Sequence, residues 1–291
     1  MLQYSLKQIA HAGKKDNTMP SLTQTDLAEL QTIITAVVRE ELLPRFARVT
    51  RQHKTDGSIL TEADLAMQHR LQHALHTRWP HIPMLGEEMT DEQQTSLLSD
   101  TSAGLWCLDP LDGTSNFAAG VPFFSVSLSL IQNGAVTLGL VFDPIREECF
   151  TACRNGGAFL NGQTLQPTPA PPLEKCIGLI DFKRLPAPLA QRLVSQRPYS
   201  SQRSFGSVAL DWCWIAAGRC HVYLHGKQRL WDYGAGQLIL SETGGHACTL
   251  EGTPLPTDDL TPRSAVAALD GELFSAWRQW LGISLEPAHL R

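Results

Sequence analysis

From residue 24 onward, apolar residues recur at intervals of three and four. Leu27, Leu30, Ile33, Ile34, Val37, Val38 and Leu42 fall on one stripe, the period of an amphipathic helix. Thr25 or Ser21 can cap its start and Pro44 closes it. After a turn at Lys54-Thr55-Asp56-Gly57-Ser58, Thr61 and Asp64 fit a capping box. That box opens a second helix carrying Leu65, Leu71, Ala74 and Leu75. The period then shortens. Residues 82–85 read as a short strand ending at Gly86-Glu87-Glu88, and residues 90–103 as an exposed linker. Residues 105–108 read as a buried strand that Pro110 stops, because proline fixes φ and lacks an N–H. Residues 123–131 and 135–142 are strand-like and joined at Asn133-Gly134, a hairpin signal. Residues 147–153 form a third candidate strand, closed by Asn155-Gly156-Gly157.

The later half alternates between the two periods. Strands are predicted at 176–181 and 220–224, and helices at 188–195, 208–217 and 231–243, the last closed by Gly244-Gly245. A turn is predicted at 203–207. The small residues Gly234-Ala235-Gly236 suit close helix packing rather than a dinucleotide fingerprint, which needs a preceding strand and spaced glycines. The expected fold is α+β, a layered α-β-α-β-α sandwich. It divides into a flexible tail (1–20), an N-terminal α+β lobe with an antiparallel sheet (21–165), and a C-terminal α/β lobe (173–285). Pro-rich residues 166–172 form the seam.

Composition narrows the function. The 291 residues carry a net charge of −5, with no long basic run, which argues against coating a nucleic-acid polymer. No apolar stretch approaches a membrane span, and the N-terminus shows no signal-peptide core. The seven cysteines show no C-x-x-C spacing, so they read as buried reduced thiols and the expected compartment is the cytoplasm. His69, His73 and His76 stand at helical spacing without an H-E-x-x-H, and read as surface or packing residues.

The chemistry concentrates in Asp109-Pro110-Leu111-Asp112-Gly113-Thr114-Ser115-Asn116-Phe117. Two carboxylates on a tight turn, followed by free N–H groups of a helix start, can hold a divalent cation with a phosphate against it. Alone, the same residues would serve as an Asx turn and helix cap. Glu87 and Asp232 change that balance. Each like-charge pair about 4 Å apart costs ~4 kcal/mol at an effective dielectric of about 20, so four acids in one cavity need a cation or protons. All-oxygen ligands suit Mg²⁺ rather than zinc.

Gly86-Glu87-Glu88, Asp109-Pro110-Leu111-Asp112-Gly113-Thr114-Ser115-Asn116-Phe117 and Trp231-Asp232-Tyr233-Gly234-Ala235-Gly236 resemble, in order, the three motifs of the inositol monophosphatase family. The resemblance covers about residues 22–281. It implies a Mg²⁺-dependent, lithium-sensitive phosphoric monoester hydrolase, a homodimer acting on a small phosphorylated metabolite. By the same resemblance, Glu87, Asp109, the Leu111 carbonyl, Asp112 and Asp232 hold two or three Mg²⁺ ions. Asp64 orients Thr114, and the pair with Glu87 serves catalysis through an activated water. Gly113, Thr114, Ser115, Ser207, Val208, His225 and Asp232 face substrate.

Thr114-Ser115-Asn116-Phe117 is similar to the inositol monophosphatase form and favours an inositol-phosphate-like or small sugar-phosphate monoester. His225 stands where the inositol enzymes carry a substrate-contacting glutamate, and Val208 where they carry a small residue. A nucleotide 3'(2'),5'-bisphosphate or fructose-1,6-bisphosphate substrate is the alternative. His225, Lys227 and Arg229 are expected at the substrate mouth, where added positive charge would suit a second anionic group. A non-catalytic metal-binding or regulatory homologue is the reading from another class.

Overall fold

The structure is a computed structural model, and it describes residues 24–50, 52–53, 59–166 and 169–284. The predicted tail, Ser21 and the turn at 54–58 lie outside those residues. In the described part, α1 (Gln24–Val37) continues through a π turn (Val38–Leu42) and a 3-10 turn (Leu43–Arg45) at Pro44. A small hairpin, β1 (Gln52–His53) and β2 (Ile59–Leu60), leads to α2 (Glu62–Arg78). Its start carries the expected capping box, with the Thr61 N–H donating to Asp64 Oδ2 at 2.7 Å. Leu65 is not on the buried face. It is 51% exposed, while Ala63, Met67, Leu71 and Leu75 make the core stripe.

The larger sheet has the order β3-β4-β5-β6-β7-β8-β9. Its strands are β3 (Met84–Gly86), β4 (Leu105–Asp112), β5 (Ser125–Gln132), β6 (Ala135–Asp143), β7 (Glu148–Cys153), β8 (Gly157–Leu160) and β9 (Gln163–Thr164). Only β3 and β4 pair in parallel; the other neighbours are antiparallel. Strand β4 corrects the sequence reading, because it does not stop before Pro110. Asp109 pairs with Ser127 and Asp112 with Ser125, so three steps on β4 face two on β5. Pro110 sits in that bulge, where no ladder N–H is required.

Residues 90–103 are also not a plain linker. Thr90 and Gln93 form a capping box that starts α3 (Asp91–Leu98). The T-x-x-Q capping signal starts this helix despite the polar composition around it. Helix α4 (Thr114–Ala119) follows β4 directly.

The second sheet has the order β11-β10-β12-β14-β13. It comprises β10 (Ile177–Asp181), β11 (Ser201–Arg203), β12 (Val222–Gln228), β13 (His246–Cys248) and β14 (Arg263–Ala268). Strand β10 runs parallel to β11 and β12, whereas β14 is antiparallel to β12 and β13. Helices α5 (Ala187–Ser195), α6 (Val208–Ala216), α7 (Leu230–Glu242) and α8 (Gly271–Leu281) complete the chain. Strands β8, β9, β11, β13 and β14 and helix α8 were not legible from the pattern. The predicted strand 220–224 is extended through a bulge to Gln228.

The result is a layered α+β fold. Helices α1 and α2 cover one face of the larger sheet, burying Leu30, Ile34, Met67 and Leu71 with Trp106 and Leu128. Helices α6 and α7 fill the space between the sheets, and α8 packs on the outer face of the second. The small residues of α7 allow this: a side-chain carbon at Gly236 would lie 2.4 Å from Trp212 Cβ. One apolar core joins Leu105 and Cys107 of the larger sheet to Tyr223 and Val266 of the smaller. All seven cysteines are free thiols, six of them buried. Among the described residues, no helix is long and apolar enough to cross a membrane.

Candidate active site

A cavity of about 670 Å³ at the junction of the two sheets is lined by residues of all three acidic motifs, although Asp109, Leu111, Asp112, Gly113 and Thr114 are not themselves in its lining. Glu87, Ser115, Ser207, Val208, His225 and Asp232 line it, as expected. Glu87 follows β3, and its position is fixed through its backbone. Its N–H donates to the Leu108 carbonyl at 3.1 Å. Gln94 Nε2, on the unforeseen helix α3, donates to the carbonyls of Gly86 (2.9 Å) and Glu87 (3.1 Å). Gln68 of α2 accepts from the Glu88 N–H at 3.0 Å.

Asp109 and Asp112 lie on the bulged end of β4 and are almost wholly buried. Burial pushes the Asp109 carboxyl well above its ordinary range, and the charges of Glu87, Asp112 and Asp232 push it further. Its Oδ1 accepts from the Leu111 N–H at 3.0 Å. Burial likewise raises Asp112, although hydrogen bonds from Ser207, Ala209 and Val208 oppose the shift. Asp232, the third residue of α7, is partly open to the cavity. Its environment still raises it well above the ordinary range, by burial first and then by Glu87 and Asp112. Four carboxylates from three separate segments therefore repel one another in a poorly solvated place.

Asp112 also does structural work that the sequence did not reveal. Its Oδ2 accepts from Ser207 Oγ (2.5 Å), the Ala209 N–H (2.8 Å) and Ser125 Oγ (3.3 Å). Its Oδ1 accepts only from the Val208 N–H, at 3.1 Å. The carboxylate thus caps the N-terminus of α6 from a strand about 95 residues earlier. Oδ2 is saturated, and Oδ1 keeps a lone pair for a further partner.

Asp64 divides two tasks between its oxygens. Oδ2 closes the α2 capping box with Thr61, and Oδ1 accepts from Thr114 Oγ1 at 3.1 Å. Thr114 Oγ1 also lies 2.9 Å from the Leu111 carbonyl, a second acceptor for its one proton. Burial raises the Asp64 carboxyl, with the Thr61 bonds opposing. Gly113 makes the turn between β4 and α4 at φ +92°. A side-chain carbon there would meet the carbonyls of Gly206 (3.1 Å) and Phe123 (3.2 Å), so only glycine fits. Asn116 ties the turn to the second half, donating to the carbonyls of Phe123 (2.8 Å) and Phe205 (2.6 Å).

His225 lines the cavity but is only 5% exposed, in strand β12 rather than a loop. Its Nδ1 accepts from the Lys227 N–H at 3.1 Å, and its Nε2 donates to Asp181 at 2.9 Å. Lys227 and Arg229 also line the cavity, joined by Asp181, Lys183, Arg184 and Asp211, which the sequence reading did not single out. No local signal marks these last four; the pairing of β10 with β12 brings Asp181, Lys183 and Arg184 to the site, and helix α6 brings Asp211.

Among the described residues, no three His, Cys, Asp or Glu side chains already close into a preformed metal cage. Mg²⁺ does not require one, since it keeps several waters and takes one or two carboxylates together with substrate phosphate. The donor set fits that ion: carboxylates and carbonyls only, buried, mutually repelling, and without thiolate or free imidazole.

The model of the inositol monophosphatase family matches residues 21–280. The chain is 34% identical to a Nus factor SuhB from Xylella fastidiosa, over 65% of this chain and 69% of the relative. It is 31% identical to a fructose-1,6-bisphosphatase/inositol-1-monophosphatase from Thermotoga maritima, over 72% and 80% of the two chains. The solved structure of a Thermotoga maritima IMPase superposes with a TM-score of 0.74 at 25% identity, covering 89% of this chain and all of that one. With the three acidic motifs gathered at one cavity and this fold around them, the chain belongs to the inositol monophosphatase family.

Proposed function

We propose that this chain is a Mg²⁺-dependent phosphomonoesterase acting on a small phosphorylated metabolite, an inositol-phosphate-like or sugar-phosphate ester. The observation that carries the reading is the convergence of Glu87, Asp109, Asp112 and Asp232, with the Thr114–Asp64 pair beside them. The residues that would hold the metal are Glu87, Asp109, the Leu111 carbonyl, Asp112 through its freer Oδ1, and Asp232. Bound Mg²⁺, in two or three ions, would supply charge neutralisation and a water of lowered pKa.

The chain's own groups supply the rest. Thr114 Oγ1 donates toward Asp64 Oδ1 or the Leu111 carbonyl, so its oxygen can accept a hydrogen bond from an attacking water; as the water gives its proton to Thr114, Thr114 passes its own to Asp64. The N–H groups of Gly113 and Thr114 head α4 and would donate to phosphate oxygens. Asn116 and the Asp112–Ser207 bond keep the two halves of the site in register. Ser115, Ser207 and Val208 line the cavity and would stand beside the ester.

The family implies lithium sensitivity and a homodimer, with residues 21–165 as the metal-binding lobe. Seven free thiols support a cytoplasmic location. The relative named as a Nus factor makes a non-catalytic role the competing reading, and the intact Thr114–Asp64 pair argues against it. Phosphate release from inositol 1-phosphate, with Mg²⁺ and with EDTA, tests the proposal. Release that needs Mg²⁺ and vanishes in Asp109→Asn supports it. Release no faster than the EDTA blank, across a panel of phosphate monoesters, overturns it.

A further inference from the structure

The cavity lining carries both signs of charge: Glu87, Glu88, Asp91 and Asp232, and with them Lys183, Arg184, Lys227 and Arg229. Lys227 lies on β12, and Lys183 and Arg184 on the turn after β10 that packs against it. A concentration of cations is not what a chain of net charge −5 offers by default. Elsewhere Arg70, Arg78, Arg146 and Arg219 each meet a carboxylate. Among the described residues, the side chains of Lys183, Arg184 and Lys227 have neither an ion pair nor a hydrogen bond. Three unpaired cations face one cavity.

Their arrangement is built into the backbone. Asp181 ends β10 and accepts from the Lys183 N–H at 2.8 Å, which turns the chain so that Lys183 and Arg184 follow at once. That turn lies directly on Gly226 of β12. A side-chain carbon at 226 would fall 1.9 Å from the Arg184 carbonyl oxygen, so only glycine lets the two segments meet. Across the same seam, His225 Nε2 binds Asp181 at 2.9 Å. Burial by itself would raise the Asp181 carboxyl. The hydrogen bond from His225 leads the effects that outweigh it, and Asp181 falls below its ordinary value. That bond straps together the segments that present Lys183, Arg184 and Lys227.

The ligand chemistry follows from what this wall offers. Lys and Arg side chains are donors without acceptor atoms. Both His225 nitrogens are already used, so no imidazole acceptor is left for a sugar hydroxyl. Two acids share this side: Asp181, whose oxygens accept from His225 and the Lys183 N–H, and Asp211, whose carboxyl burial and then Asp112 and Asp181 push well up and whose Oδ1 has no partner. A phosphate, which has acceptor oxygens and negative charge, takes charge-assisted bonds on both partners from such a wall; a neutral hydroxyl can accept from it but brings no charge of its own.

We infer that Lys183, Arg184 and Lys227, held by the Asp181–His225 strap, form a subsite for a second phosphate on the substrate. The preferred substrate is then a bisphosphate whose one ester is hydrolysed at the acidic cluster while the other sits on these cations. This rests on the phosphomonoesterase reading above and adds the substrate class to it. A cavity of about 670 Å³ lies within the range of small-molecule sites.

The test compares kcat/KM for inositol 1-phosphate and inositol 1,4-bisphosphate in wild type, in Lys183→Gln/Arg184→Gln and in Lys227→Gln, at low and high salt. Lys183, Arg184 and Lys227 are exposed, and thermal unfolding of each variant checks that the fold is retained. The wild type should favour the bisphosphate, and salt should narrow the preference. Each variant should cut the bisphosphate-to-monophosphate ratio, the double variant by about ten- to a hundredfold, the worth of one or two charge-assisted hydrogen bonds. A ratio that is the same in wild type and both variants, with Mg²⁺-dependent monophosphate hydrolysis intact, overturns the subsite alone. No Mg²⁺-dependent hydrolysis of either ester overturns the phosphatase reading and the subsite together.

Discussion

Ser207 Oγ donates to Asp112 Oδ2 at 2.5 Å, tying the head of α6 to the acidic strand of the larger sheet. A carboxylate that must serve a metal is thereby aimed by a helix from the other half of the chain. Replacing Ser207 by Ala removes the shortest of the four bonds to Asp112 while leaving the Val208 and Ala209 amides. We expect a stability loss of about 1–3 kcal/mol by urea denaturation, together with a higher Mg²⁺ concentration for half-maximal activity. Unchanged stability and Mg²⁺ response would mean that the amides alone hold Asp112.

The clustered acids set how the metal-free protein responds to pH. Asp109, Asp112 and Asp232 are all raised in the fold, by burial first; the charge of Glu87 adds to each, and neighbouring aspartates add to Asp109 and Asp232. Between the ordinary carboxylate value and the raised ones, the native state binds more protons than the unfolded chain. Stability therefore falls as pH rises through that window. In EDTA, denaturation at about pH 5 and about pH 8 should show the wild type losing more stability than Asp109→Asn. Saturating Mg²⁺ should restore the wild type at the higher pH and the variant much less. Parallel pH profiles for the two proteins would show that Asp109 is not charge-strained.

Thr114 and Asp64 separate rate from stability. Thr114→Ala removes a hydroxyl placed between Asp64 Oδ1 and the Leu111 carbonyl, and should lower kcat by ~10²–10⁴-fold. The Mg²⁺ requirement should move little. Asp64→Ala loses the same positioning and also the α2 cap, so it should cost a further ~0.5–2 kcal/mol of stability. A Thr114→Ala protein that regains full rate at high Mg²⁺ would assign the hydroxyl to metal coordination instead.

The legible part of this protein is the part written in local pattern. Asp64 could be read from a capping box, Glu87 from a strand end, and Asp232 from a helix start, because each sits at a boundary with its own sequence signal. Those same signals left the function of each acid open, since a cap and a ligand use one residue type. Asp64 turns out to serve as cap and partner at once, one oxygen for each. Strand β4 misled because Pro110 normally ends a strand, and a bulge is a property of the pairing rather than of the residue. Strands β13 and β14 and the cationic wall depend on neighbours distant in sequence, and periodicity does not encode them. Lys183 and Lys227 belong together only because Ile180 pairs with Leu224 and Asp181 with His225.

Helix α3, hidden in a polar stretch, yields the last expectation. Gln94 is 3% exposed, and its amide nitrogen bridges the carbonyls of Gly86 and Glu87. Glu87 hangs from that turn, so Gln94 orients a metal-binding acid without supplying charge. Gln94→Met keeps the length of the side chain and removes the donors, leaving two carbonyls short of a partner. The cost should be about 1–3 kcal/mol of stability. Groups that only orient a metal ligand are typically worth about ten- to a hundredfold in metal affinity, so the Mg²⁺ needed for half-maximal activity should rise by that order. At saturating Mg²⁺ the rate should return most of the way, because the donors of Gln94 end on backbone and not on substrate. Activity titrated against Mg²⁺, alongside thermal unfolding, separates the outcomes. A variant whose maximal rate stays low while its Mg²⁺ midpoint is unmoved would place Gln94 in the substrate pocket rather than behind Glu87.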